Sequence, residues 1–144
     1  FAMTKVTVPQ RVGTDGLLRQ VAVPDHVDVL CQFPGGAQAH LAFSAVTGLG
    51  AAGDAWLFGT EGTLHLDIAS MTLSGGRRSD QALKEIGISP EKEETWRVEE
   101  EFINAIRGLE PVRLTTFEDG LAYMEFTEAV ARSAQSRKSV PLPL

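Results

Sequence analysis

Apolar and polar residues alternate through the first two thirds of the chain and then change to a helical period. From residue 1 to 9, polar Thr4, Lys5 and Thr7 interleave with Met3, Val6 and Val8 before Pro9. Alternation places successive side chains on opposite faces of a strand. A second run therefore sets Val27, Val29 and Cys31 against Asp28, Leu30 and Gln32. Pro34-Gly35-Gly36 breaks it in the manner of a tight hairpin. A third run, Ala37 to Thr47, sets Leu41, Phe43 and Ala45 against His40, Ala42 and Ser44. After the glycine-rich stretch 48–53, strands are predicted over Asp54–Gly59, Thr63–Ile68 and Met71–Leu73. Gly59-Thr60-Glu61-Gly62 reads as a turn whose two glycines can take positive φ. Short turns between successive strands imply an antiparallel meander, because parallel pairs need long crossovers.

Residues 75–94 are charged and weakly periodic, and are expected to form a long loop with one turn of helix. Trp96, Phe102, Ile103 and Ile106 then fit a helix from Glu94 to Arg107, stopped by Gly108. Thr116, with Asp119 three residues on, predicts the capped start of a second helix. On it Glu118, Glu125, Glu128, Arg132 and Gln135 share one face; Ala122, Phe126, Ala129, Val130 and Ala134 form a broad opposite arc suited to a sheet. Phe102, Ile106, Phe126 and Val130 are expected to face that sheet. The predicted fold class is α+β: an open, mainly antiparallel β-sheet with helices packed on one face and the other free for oligomerisation. Residues 1–144 fit a single domain.

Composition narrows the partners. A net charge of −6 argues against nucleic acid, whose backbone calls for an excess of Lys and Arg. No window approaches the roughly 20 consecutive apolar residues of a membrane helix. The single cysteine, Cys31, lies in an apolar run and reads as a small core side chain; the lack of a disulfide partner favours a reducing, cytoplasmic setting. Phe1 to Lys5 lacks the basic-then-apolar order of a secretory leader, and the chain is expected to continue upstream.

Candidate chemistry is sparse. Gly48-Leu49-Gly50-Ala51-Ala52-Gly53 matches GxGxxG, but that motif binds a dinucleotide only between a strand and a helix, and here a strand is predicted to follow. His26, His40 and His65 are scattered among strands; His65 and Asp67 point the same way, yet no third metal ligand is indicated. Glu93-Glu94 and Glu99-Glu100-Glu101 suit the positive end of a helix dipole. Ser44, Ser70 and Ser74 have no base at a fixed spacing. No catalytic, cofactor-binding or metal-binding residue is assigned. If residues 10–24 form a loop between two strands, Arg11 and Asp25 emerge at one end of the sheet. There they either border a substrate pocket or close the loop as a salt bridge.

Several segments together carry a resemblance. Glu99 to Gly108, Thr116 to Leu121 and Ala129 to Ala134, with the hairpin Phe58 to Leu64 and the runs Asp25–Asp28 and Phe33–Gly36, are similar in order and spacing to the Gfo/Idh/MocA family. These are oxidoreductases of the glucose–fructose oxidoreductase and inositol dehydrogenase type. The resemblance implies the C-terminal half of a parent with an N-terminal Rossmann domain binding NAD or NADP, acting on a sugar, polyol or sugar derivative. It further implies that the family's glycine loop, its Glu-Lys-Pro segment and its Asp…His pair lie upstream. Lys5, Lys84, Lys92 and Lys138 match none of them, so no catalytic role carries over. The chain would supply substrate-pocket walls, the contact with its Rossmann domain, and a homo-dimer or higher oligomer through the bare sheet face. The competing expectation is a non-catalytic interaction module that assembles through an open sheet.

Overall fold

The computed structural model describes residues 1–50, 53–92, 96–113 and 116–144. They divide into two compact units, one formed by Phe1–Thr47 and Arg97–Leu144, the other by Gly48–Trp96. The fold is α+β, every strand pair is antiparallel, and every ladder is open.

In the first unit, β1 (Ala2–Lys5), β4 (His26–Gln32) and β5 (Gln38–Ser44) form a three-stranded sheet with β4 in the middle. The Pro34–Gly36 turn closes as expected: Gly36, at positive φ, donates to the Phe33 carbonyl, and Phe33 donates to that of Ala37. This closure pairs Val29 with Leu41 and Val27 with Phe43, so the predicted apolar sets share one face. The stretch expected as loop 10–24 instead contains a hairpin, β2 (Gln10–Val12) and β3 (Leu18–Gln20). Its turn is organised by Asp15, which accepts from the Leu17 amide and from Arg19, and by Gly16 at positive φ. Asp-Gly is a strong hairpin signal that the polar flanks obscured.

Helix α1 spans Val98–Ile106, shorter than predicted; Trp96 lies before it, and the expected start at Glu94 falls outside the described residues. Gly108 ends it at positive φ, with Leu109 donating to the Asn104 carbonyl. Helix α2 spans Phe117–Ser136 and starts with the predicted capping box: Asp119 N–H donates to Thr116 Oγ1 at 3.2 Å, and Thr116 N–H donates to Asp119 Oδ2 at 2.9 Å. It packs on β1. Ala129 and Ser133 are buried there, as are Ala2 and Val29 of the sheet. Phe126 and Val130 are half-buried, in keeping with the predicted phase. Phe102 and Ile106 are not: both are exposed, because the residue α1 buries is Glu101, held by Arg113.

The second unit is a four-stranded meander, β6 (Asp54–Phe58), β7 (Gly62–Asp67), β8 (Thr72–Arg77) and β9 (Lys84–Glu85). The Gly59–Gly62 turn forms, with Gly59 donating to the Gly62 carbonyl at 2.9 Å. Neither glycine is at positive φ. Gly62 is required for a different reason: a Cβ there would collide with the carbonyl oxygen of Gly76 across the ladder. β8 runs past the predicted Leu73 because Gly75 and Gly76 hide its alternation. A Cβ on Gly75 would sit 2.7 Å from Ile86 Cδ1 and 2.8 Å from Leu64 Cδ2, so its bareness lets those two side chains meet over the strand. The region expected as one loop with a helical turn therefore holds the end of β8, β9 and the 3-10 turn Pro90–Lys92.

Candidate functional site

The first unit brings a carboxylate between two imidazoles. Asp28 sits mid-strand on β4; His26, two residues earlier, projects from the same face. The hairpin register pairs Asp28 with Ala42 and Leu30 with His40, which sets His40 diagonally beside Asp28. Asp28 Oδ2 lies 2.8 Å from His26 Nε2, and its Oδ1 lies 3.2 Å from His40 Nε2. The hydrogen bond from His26 and then that from His40 hold the Asp28 carboxyl below its ordinary range. An ionised carboxylate only accepts, so both Nε2 atoms carry protons and each ring keeps Nδ1 for another partner. Lys5 and Ser44 flank His26 in the same row. Such a face can hydrogen-bond a polyhydroxylated ligand and hold a proton close to it.

At one end of this sheet Asp25 is buried and accepts from the backbone amides of Thr7 and Val8 at 2.7 and 2.9 Å. Those two bonds, first Thr7 and then Val8, hold its carboxyl below the usual value. Arg11, at the start of the hairpin, reaches Asp25 Oδ2 with Nη2 at 3.8 Å, and about half of its side chain stays exposed. The two predicted pocket residues are thus neighbours. Asp25 is largely engaged by backbone, while the Arg11 guanidinium still has donors facing solvent.

The second unit has a pairing that the sequence did not announce. The hydrogen bond of His65 goes to Asp54 rather than Asp67: its Nε2 lies 2.5 Å from Asp54 Oδ1 on β6, and its ring stacks on Trp56 at 4.0 Å. Asp67 instead accepts from the Ala69 and Ser70 amides in the β7–β8 turn. Among the described residues, no group of three His, Cys, Asp or Glu side chains is arranged to hold a metal ion.

The glycine stretch 48–53 does not fit a dinucleotide. Ala51 and Ala52 lie outside the described residues, but the element after the loop is strand β6, so the loop does not lead into a helix as that motif requires. Of the acidic clusters, Glu93 and Glu94 also fall outside the described residues. Glu99, Glu100 and Glu101 occupy the first turn of α1, where Glu100 pairs with Arg97 at 3.0 Å. The hydrogen bond from Arg97 holds the Glu100 carboxyl low. No helix among the described residues is long and apolar enough to cross a membrane.

No family model and no curated protein matches the chain. Solved structures do. An NAD-binding oxidoreductase from Klebsiella pneumoniae superposes with a TM-score of 0.75 at 22% identity, over 95% of this chain and 43% of its own. Levoglucosan dehydrogenase, solved with NADH and L-sorbose, gives 0.77 at 20% identity, over 99% of this chain and 43% of its own. An oxidoreductase domain protein from Kribbella flavida gives 0.72 at 19% identity, over 95% and 42%. This chain spans less than half the length of each, and nearly all of it has the fold of a region within these oxidoreductases.

Proposed function

We propose that this chain is the substrate-side and oligomer-forming C-terminal domain of an NAD- or NADP-dependent oxidoreductase of the Gfo/Idh/MocA type, acting on a sugar, polyol or sugar derivative. The observation that carries the reading is a fold match over 95–99% of this chain to oxidoreductases more than twice as long. In this reading the nicotinamide sits on a separate Rossmann domain, since the residues here do not fit it, and that domain supplies the redox chemistry. Arg11 then donates to a hydroxyl or carboxylate of the substrate, with Asp25 steadying the strand end from which it projects. The Asp28 face with its two histidines, or the bare face of the second unit, packs against a second copy. An L-sorbose complex of one structural neighbour accords with a polyhydroxylated substrate.

The test joins this chain to the nucleotide-binding domain encoded with it and follows NAD(P)H absorbance across a panel of sugars and polyols. Turnover is expected, and Arg11→Ala should raise KM about tenfold, the scale of one charge-assisted hydrogen bond, while leaving NADH affinity unchanged. Nucleotide binding without turnover of any polyol would sink the proposal.

A further inference from the structure

We infer that Arg11 and Arg19 form an oxyanion site on the β2–β3 hairpin, and that the substrate is a sugar or polyol carrying a carboxylate or a phosphate. In the oxidoreductase proposed above, on whose reading this rests, the pair narrows the substrate class to acidic sugars. Arg11 and Arg19 stand directly opposite each other in the ladder. Directly paired residues have Cα atoms about 4.5–5.5 Å apart and side chains on one face. Two guanidiniums therefore leave the same side of an exposed two-stranded hairpin, in a chain whose net charge is −6.

Such a pairing is costly, because like charges directly opposite destabilise two strands. The adjoining row closes the same hairpin without that cost, with Gln10 opposite Gln20. Nor do the nearby aspartates account for it, since exposed ion pairs contribute little to folding. A bound oxyanion turns the repulsion into attraction at both guanidiniums.

Each guanidinium is held by an aspartate that the backbone itself fixes. At the hairpin base Asp25 accepts from the Thr7 and Val8 amides, and Arg11 lies 3.8 Å from it, too far for a hydrogen bond. At the tip Asp15 accepts from the Leu17 amide and from Arg19 Nη2. The bond from Arg19, and then that from Leu17, hold the Asp15 carboxyl below its ordinary range, so it stays ionised beside its partner. Gly13 leaves the room for this: a Cβ there would sit 2.8 Å from Asp15 Oδ1 and 3.2 Å from Arg19 Nε. The Arg11 and Arg19 side chains are nevertheless 52% and 68% exposed. The N–H donors of Arg11, and those of Arg19 beyond Nη2, have no hydrogen-bond acceptor among the described residues. Carboxylates and phosphates accept such forks two bonds at a time, so this surplus of held donors selects an anionic group over a neutral hydroxyl.

The full chain, isotope-labelled at arginine and titrated separately with gluconate, glucose-6-phosphate and glucose, tests this through the arginine Nε–H signals in NMR spectra. Gluconate or glucose-6-phosphate should shift the Arg11 and Arg19 signals together and saturably, and the tighter of the two identifies the anion. Glucose should bind at least about tenfold more weakly, the scale of one charge-assisted hydrogen bond. Arg11→Gln and Arg19→Gln should each weaken the anion several-fold and reduce its salt dependence. Because Arg19 also braces the turn, Arg19→Lys is the companion variant: it keeps the charge, loses the fork, and should fall between the parent and Arg19→Gln. Glucose binding as tightly as both anions, no shift with either anion, or an affinity untouched by all three variants overturns the proposal. The titration needs no nucleotide, so its failure leaves an oxidoreductase of neutral sugars standing, whereas failure of that reading shows as absent turnover.

Discussion

Asp25 shows how much one carboxylate can organise. Its two oxygens satisfy the Thr7 and Val8 amides, and its own backbone bridges Lys5 and Ala45. The folded-state carboxyl is held below the ordinary value of about 3.9. Its contribution is therefore complete above roughly pH 4 and is lost as pH falls through the depressed folded value. Asp25→Asn should lower the urea midpoint at pH 7, and the gap from the parent chain should shrink towards pH 2. An unchanged gap across that range would mean the carboxylate charge is irrelevant. Ser133 is a second such point: its buried hydroxyl accepts from the Ala2 amide at 2.8 Å and donates to the Lys138 carbonyl at 2.6 Å. Ser133→Ala should cost about 1–3 kcal/mol in equilibrium unfolding, since it leaves a buried amide without an acceptor. Neither role could be read from the sequence, because Asp25 depends on the Val8 amide 17 positions away and Ser133 on the Ala2 amide 131 positions away. The Asp28 pairing was closer to legible. His26 and Asp28 share a face by simple alternation, and the Phe33–Ala37 closure fixes which residue of β5 stands beside them.

At the scale of elements, alternation and caps were the reliable signals. The capping box at Thr116 is legible from residue type and spacing alone, and Thr116→Ala should cost about 1 kcal/mol by thermal or urea denaturation. β2, β3 and the end of β8 were missed where side chains carry little pattern: a polar hairpin in one case, paired glycines in the other. Gly62 gives that point a measurable form. Gly62→Ala must displace the β8 backbone at Gly76, so it should destabilise the meander far more than an ordinary glycine-to-alanine change in a turn. Unfolding at a midpoint equal to the parent's would show that the two strands can part without penalty. The phase of α1 was misjudged because apolar spacing marks a face that needs cover without saying which neighbour supplies it. Phe102 and Ile106 are exposed, and the buried side of the helix is occupied by a glutamate.

For the whole molecule, the small number of buried apolar residues is the informative feature. Ala2, Val29 and Ala129 are the buried apolar side chains among the described residues, none of them large. A chain of 144 residues ordinarily hides far more. Its stability should therefore depend on partners and rise with their concentration. Sedimentation equilibrium from low to high micromolar should show a mass above the 15.5 kDa of one chain, in line with the proposed sheet-face association. A single-chain mass throughout would remove the oligomer from the proposal. Calorimetric titration with NADH and NADPH should give no micromolar binding, because the glycine stretch leads into a strand.

The bond between Ala2 and Ser133 also bears on the order of events during synthesis. The second unit is one continuous stretch, Gly48–Trp96, whose strands pair with their immediate successors. It can form as soon as it leaves the ribosome, since nearby partners close quickly. The first unit is split: residues 1–47 are made before the second unit, but the helix that covers them is made after it. While the next 49 residues or more are translated, the Ala2 and Val29 side of the nascent sheet has no α2 against it. At roughly 5–20 residues per second that wait lasts for seconds. During that interval the half-built sheet is a natural client for a chaperone, and slowing translation between residues 48 and 96 should lengthen its dependence on one.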